Sequence, residues 1–146
     1  MANQPDVVMA QSILDYRFQD IDWLREALQA PGSNVAIRGT VMPDGNKRLA
    51  LLGNGVLRMM ILGAWYTSDE NRQGSAQRLE AFNSGRLAEI ARQSNIEICI
   101  AINPSQRGQI TPPALLTDTL AASLGAVWKD SGYDVAVTNR VASYLG

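Results

Sequence analysis

The stretch 45–66 constrains the fold more than any other part of the chain. Its apolar residues Leu49, Leu52, Val56, Leu57, Met60, Ile61, Ala64 and Trp65 recur at helical spacing, which predicts one long helix over residues 46–66. Gly45 ends the preceding loop, and Asn46 is the expected N-cap. Gly53, Gly55 and Gly63 each cost about 1 kcal/mol inside a helix relative to alanine. Close approach of another backbone would offset that cost, because a glycine leaves room for it. A helix of this kind belongs in a core or at a subunit interface.

With 146 residues, 46% of them hydrophobic and 18% charged, the chain reads as one domain over residues 1–146 with its own core. A net charge of −1 and a pI near 5.3 argue against nucleic-acid binding through bulk electrostatics, while leaving room for a local basic patch. The chain contains no histidine, which excludes Ser-His and Cys-His catalysis, His-ligated zinc and the commonest general base. Cys99 stands alone, so no intrachain disulfide forms, and it is expected to be a small buried hydrophobe. Residues 1–10 carry neither a basic start nor a long apolar run. A soluble intracellular protein without a signal, transit or membrane segment is expected, cytoplasmic or nuclear rather than mitochondrial.

The remaining elements follow from caps and breakers. Asp6 caps a short helix over 7–14, and Asp20 starts a second with Ile21, Leu24, Ala27 and Leu28 on one face. Residues 35–44 contain β-branched side chains but also Pro43, and read as loop. After a polar connection over 67–74, Ser75 begins a helix bearing Leu79 and Phe82, and Ser84 caps another bearing Leu87, Ile90 and Ala91. Residues 96–102 read as a short strand or extended loop, and 103–113 as loop. Pro113 suits the first turn of a helix running to about Lys129, with Leu116, Leu120, Leu124 and Val127 inward. A last helix covers 134–144. The expected architecture is all-α.

Four ordered blocks carry a resemblance. Leu14-Asp15-Tyr16-Arg17-Phe18, followed by Ala27-Leu28, is similar to an opening that reads L-G-Y-x-F and then A-L-T-H. Asn46-Lys47-Arg48-Leu49-Ala50-Leu51-Leu52-Gly53-Asn54-Gly55-Val56-Leu57 matches the pattern N-E-R-L-E-F-L-G-D-A-V-L. The run 87–92 resembles a middle helix, and 116–132 resembles L-A-D-x-x-E-A-L-I-G-A-I-Y-L-D-x-G. The blocks resemble the endonuclease domain of ribonuclease III, which implies an all-α, ribonuclease III-like helical fold. The family cleaves double-stranded RNA with a divalent metal held by carboxylates on two facing helices. Hard cations of this kind take oxygen ligands, stabilise charge on the phosphate and help generate the attacking hydroxide.

Carried over residue by residue, the four acidic positions fall on Ala50, Asn54, Asp118 and Ala121, so only Asp118 remains acidic. A further acid of the pattern falls on Lys47. The resemblance therefore implies a degenerate member with no catalytic residues, no metal and no cofactor. Leu51 falls where the family often has an aromatic that plugs into a partner subunit, so Leu51, Leu52, Gly53 and Gly55 are the expected dimer interface. The sequence stops at Gly146, and no appended double-stranded-RNA-binding domain is expected.

The expected partners are a second copy or a related domain, with double-stranded RNA also open, its binding residues unknown, and no membrane. Three functions compete: an inactive dimeric interaction or RNA-binding module; a structural ribonucleoprotein subunit, as in the mitochondrial large ribosomal subunit; or a nuclease with a rebuilt site recruiting Asp118, Asn54 and Glu70 or Glu80. Read without the family, Asp118 is a surface or ion-paired residue, and Lys47 and Arg48 are a solvated helix start. Trp23, Trp65 and Trp128 are then core or interface residues.

Overall fold

Side-chain caps start most of the helices. In the computed structural model, which describes residues 4–146 apart from the side chain of Ser84, the Asp6 carboxylate accepts the Met9 N–H and opens α1, Val7–Leu14. Residues 1–3, which belong to the N-terminal stretch that bears on targeting, lie outside the described residues. Asp20 accepts the Asp22 N–H and opens α2, Ile21–Ala27. The later helices are α3, Lys47–Tyr66; α4, Arg72–Glu80; α5, Ser84–Gln93; α6, Pro113–Asp130; and α7, Val135–Leu145. The architecture is all-α, as expected, with one small hairpin.

That hairpin corrects the loop expected over 35–44. β1, Ala36–Ile37, pairs antiparallel with β2, Thr40–Val41, in the register Ala36 opposite Val41 and Ile37 opposite Thr40. Arg38 and Gly39 both have positive φ, the conformation of a tight two-residue hairpin turn. Pro43 lies beyond the paired residues and does not disturb them. Other boundaries shift as well. The cap of α4 is Asn71, not Ser75, and the cap of α5 is Asn83, with Ser84 already helical. Residues 96–102 form no strand of their own: Ile96–Cys99 is a 3₁₀ turn, and Ala101 makes a single parallel bridge to Gln29.

Helix α6 is the centre of the molecule. Every residue from Thr119 to Val127 is buried, and α2, α3, α5 and α7 all pack around it. A helix apolar on all sides in this way is a core helix. Its small residues Ala121, Ala122, Ser123, Gly125 and Ala126 let neighbouring backbones come close. The closest is α3. A Cβ built on Gly53 would run into the Ala121 carbonyl, and one on Gly125 would lie 2.7 Å from the Leu49 carbonyl oxygen. Gly53 thus serves an internal helix crossing, which corrects its assignment to the dimer interface. Gly55 and Gly63 meet nothing within 4 Å, so the backbone contact expected to offset all three glycines exists only at Gly53.

Asn46 locks the start of this crossing. It is fully buried, and its side chain caps nothing on α3. Instead its Nδ2 donates to the Ala27 carbonyl at 2.8 Å and to Thr119 Oγ1 at 3.0 Å, joining the ends of α2 and α3 to α6. Asn46 thus holds the N-cap position of α3, as expected, while its side chain serves as a tertiary tie in place of a capping group. At the far end of α6, Asp130 accepts the Tyr16 hydroxyl at 2.7 Å and the N–H groups of Gln19 and Asp20 at 3.0 and 2.8 Å. Burial, reinforced by that carboxylate, pushes the Tyr16 hydroxyl well above its ordinary range.

The helix crossing and its tie set the expected response to substitution. Gly53→Ala should lower unfolding stability in urea by about 1–3 kcal/mol through overpacking, whereas Gly55→Ala should raise it by up to about 1 kcal/mol. Asn46→Ala, which leaves buried groups on α2 and α6 unpaired, should cost about 1–3 kcal/mol in the same measurement.

Candidate functional site at the α3–α6 crossing

Lys47, Ala50 and Asn54 sit three and four residues apart on α3, and Asp118 and Ala121 sit three apart on α6. Such spacing puts each set on one helix face. The glycine-mediated crossing, which sets Gly53 on Ala121, brings these stretches of α3 and α6 together. Ala50 and Ala121 are 2% and 0% exposed, so their methyl groups are sealed into the core beside the crossing. Lys47 and Asn54 are exposed at its rim, and Asp118 is half-buried.

Asp118 borders an open hollow of about 400 Å³ that also touches Gly85, Pro113, Ala114 and Thr117. Burial pushes its carboxyl above the ordinary carboxylate range, and the Lys47 ammonium pulls it partly back. The donor set is one carboxylate and one exposed amide, with an ammonium nearby. Magnesium prefers six oxygen ligands in near-octahedral geometry and sheds water reluctantly, so this set does not fit it. Among the described residues, no three histidine, cysteine, aspartate or glutamate side chains gather where they could hold an ion.

The acids considered for a rebuilt site are engaged elsewhere. Glu70 pairs with Arg78, with Oε2 accepting from Nε at 2.8 Å and Oε1 from a terminal guanidinium nitrogen at 3.1 Å, which holds its carboxyl below the usual range. Glu80 accepts from Asn83 at 3.4 Å next to the start of α5.

On the opposite side of α3 from α6, Leu51, Leu52, Gly55, Met59 and Tyr66 are exposed, with Leu51 at 76% and Tyr66 at 80%. Past the crossing, on the side of α3 that faces α6, an apolar groove of about 420 Å³ runs between α3, α4 and α7, lined in part by Leu57, Met60, Ile61, Phe82 and Ala142. By length and composition alone, α3 is also the one helix among the described residues that could cross a bilayer. Its inner face, with Leu49, Ala50, Val56 and Leu57, is nonetheless buried in the protein core.

The tryptophans divide. Trp23 is half-buried and packs against the main core, with the Arg38 guanidinium 4.5 Å and the Lys129 ammonium 5.3 Å from its ring centroid. Trp65 donates its Nε1–H to the Asn71 carbonyl at 2.8 Å, and Trp128 packs against Tyr133. Cys99 is buried, and burial pushes its thiol up to about 11. Arg58 is a rim cation that the family pattern does not reach. It lies four residues beyond Asn54 on the same edge of α3, and that spacing is the signal in the sequence that reveals it.

No family model matches the chain. Among curated proteins, it is 33% identical over 131 residues to Ribonuclease 3 of Oleidesulfovibrio alaskensis, covering 86% of this chain and 56% of that one. It is 32% identical over 136 residues to Ribonuclease 3 of Solibacter usitatus, covering 84% of this chain and 49% of that one. The chain thus spans about half the length of the curated relatives it matches. Among solved structures, a nuclease domain of ribonuclease III from Campylobacter jejuni, described for flexibility in its region of dimer formation, superposes with a TM-score of 0.79 at 22% identity over 96% of this chain and 95% of that one. A second structure of the Campylobacter jejuni domain gives 0.77 at 24% identity, over 96% of this chain and 92% of that one. By sequence the chain is a relative of Ribonuclease 3 proteins over about half of their length, and it has the fold of the ribonuclease III nuclease domain.

Proposed function

We propose that this chain is a catalytically inactive ribonuclease III-type domain that pairs through the outer face of α3 and serves as a dimeric interaction or double-stranded-RNA-binding module. The observation that carries the reading is the composition of the α3–α6 crossing. Where the family resemblance calls for four acids, the chain has Ala50, Asn54, Asp118 and Ala121, and Lys47 adds a cation. The methyl groups of Ala50 and Ala121 are enclosed, so no other side chain takes over the missing oxygens at those points.

Pairing is supported by the exposed apolar face. Leu51, Leu52, Met59 and Tyr66 form a stripe on a 20-residue helix, interrupted by Gly55 and Gly63, over which there is open space. Removing such a stripe from water is favourable by about 25 cal/mol per Å² of apolar area. A two-fold contact lets the same patch serve both subunits. The dimer formation described for the Campylobacter jejuni domain agrees with this use of the fold.

Incubation of the purified protein with long double-stranded RNA in Mg²⁺ or Mn²⁺ should give no cleavage above a protein-free control. Cleavage that disappears in Asp118→Ala would overturn the reading. Sedimentation equilibrium should show a dimer, and Leu51→Glu should raise its dissociation constant about a hundredfold, equivalent to roughly 3 kcal/mol. A monomeric wild-type protein would contradict the proposed pairing.

A further inference from the structure

Two side chains hold a left-handed backbone that their chemistry does not favour. Among the described residues, the non-glycine positions with positive φ are Asp15, Asn34, Arg38, Asn95 and Tyr133, and only Arg38 and Tyr133 are neither aspartate nor asparagine. Such conformations persist where the surroundings over-determine them. Both residues converge on Trp23 of α2. The Arg38 guanidinium lies 4.5 Å from the Trp23 ring centroid. Tyr133 reaches the same ring through Lys129, whose ammonium donates to the Tyr133 hydroxyl at 3.1 Å and stands 5.3 Å from the Trp23 centroid. Acids of α2 and its cap surround Arg38 as well. Its Nη2 is 2.9 Å from Asp20, its Nε 4.0 Å from Asp22 and its Nη1 4.0 Å from Glu26. The hydrogen bond from Arg38 holds the Asp20 carboxyl below its usual range.

Arg38 stands at the tip of an excursion with little else to fasten it. Residues 33–44 lie between Gly32 and Gly45, both with positive φ. The neck is closed by the Gly32 N–H, which donates to the Pro43 carbonyl at 3.3 Å, and by the Asn46 N–H, which donates to the Gln29 carbonyl at 2.9 Å. Within the excursion only Ser33, Val35 and Ile37 are buried, and Ser33 is tied to Gln29 at the neck. Val35 and Ile37 pack with Ala101 and Met42 in a small apolar cluster separate from the main core. Ala101 belongs to the body of the protein, where its N–H donates to the Leu28 carbonyl at 2.8 Å. Arg25 adds one long hydrogen bond from α2, to the Ala36 carbonyl at 3.4 Å.

We propose that residues 33–44 are a strap that swings open about Gly32 and Gly45 while the α3–α6 core stays folded, and that Arg38 is the latch that holds it shut on α2. Opening short of global unfolding belongs to segments with few buried apolar contacts and with ends that can absorb a change of dihedral angle. The strap has both. Its opening uncovers Val35, Ile37 and Ala101, which are 5%, 3% and 1% exposed when it is closed. The bond from Asn46 to Gln29 lies behind the two glycines, so α3 keeps its entry against α6. A two-residue hairpin turn favours asparagine or glycine at position 38. An arginine there gains only from what its side chain reaches, which is Trp23 and three carboxylates. The guanidinium and these acids are partly exposed, so ionic strength governs how firmly the latch holds.

The test is amide hydrogen exchange of the full chain, comparing residues 33–44 with residues 119–127 of α6. In the wild-type protein the strap should exchange faster than α6. Arg38→Ala should speed exchange of the strap about tenfold and leave α6 unchanged. Raising salt from about 0.1 M to about 1 M shortens the Debye length from about 10 Å to about 3 Å, and should move the wild-type strap toward the variant while leaving the variant where it is. Arg38→Asn separates the latch from the turn. It restores the favoured turn sequence ahead of Gly39, so a residue that only shapes the turn predicts slower opening, whereas loss of a latch predicts faster opening. Exchange of the strap at the rate of α6, exchange unmoved by Arg38→Ala, or slower exchange in Arg38→Asn would overturn the proposal. The salt series needs only the wild-type chain, so a strap indifferent to salt counts against the latch even where a variant folds poorly.

Discussion

The structure depends on one close contact between two helices. Gly53 lets the backbone of α3 lie against the Ala121 carbonyl of α6, and Gly125 does the same for the Leu49 carbonyl of α3. Ordinary side chains at either glycine would force the helices apart, because packed interiors leave little slack. Around this contact α6 is buried from Thr119 to Val127 and becomes the post on which the other helices hang. Asn46, buried against Ala27 and Thr119, sets the angle at which α3 enters it.

The same contact defines what the site can do. It sets Gly53 on Ala121, three residues along α3 from Ala50, with Lys47 close enough to Asp118 to act on its carboxyl, and these are the stretches where the ribonuclease III resemblance would ask for acids. In this chain two of those positions are buried alanines, one is an amide and one is a lysine. The framework is therefore kept while its negative charge is cancelled, since Lys47 offsets Asp118 and the other three positions are neutral. Helix α3 divides its labour by face: the inner side packs the core and the outer side offers an apolar stripe.

Much of this is legible in the residues. The long helix stands out because eight apolar positions fit a 3.6-residue period, and the departures at Lys47, Ala50 and Asn54 follow once that helix is aligned with the family pattern. Other features are hidden for identifiable reasons. The hairpin is masked because Pro43 suggests a loop, although the deciding turn is Arg38-Gly39, upstream of it. Asn46 looks like a cap, since local propensity cannot reveal that its amide is claimed by α2 and α6. The three helical glycines look alike in a linear pattern, and only the packing of α6 separates buried Gly53 from open Gly55 and Gly63. Arg58 falls outside the motif, although its spacing from Lys47 and Asn54 places it on their edge of the helix.

The central claim is that the α3–α6 crossing has no capacity for a divalent cation. Isothermal titration calorimetry of the full chain with Mn²⁺ tests it without relying on any substrate. The account predicts no saturable binding up to millimolar metal, and the same trace for wild type and Asp118→Ala. Saturable, stoichiometric binding that Asp118→Ala abolishes would contradict it.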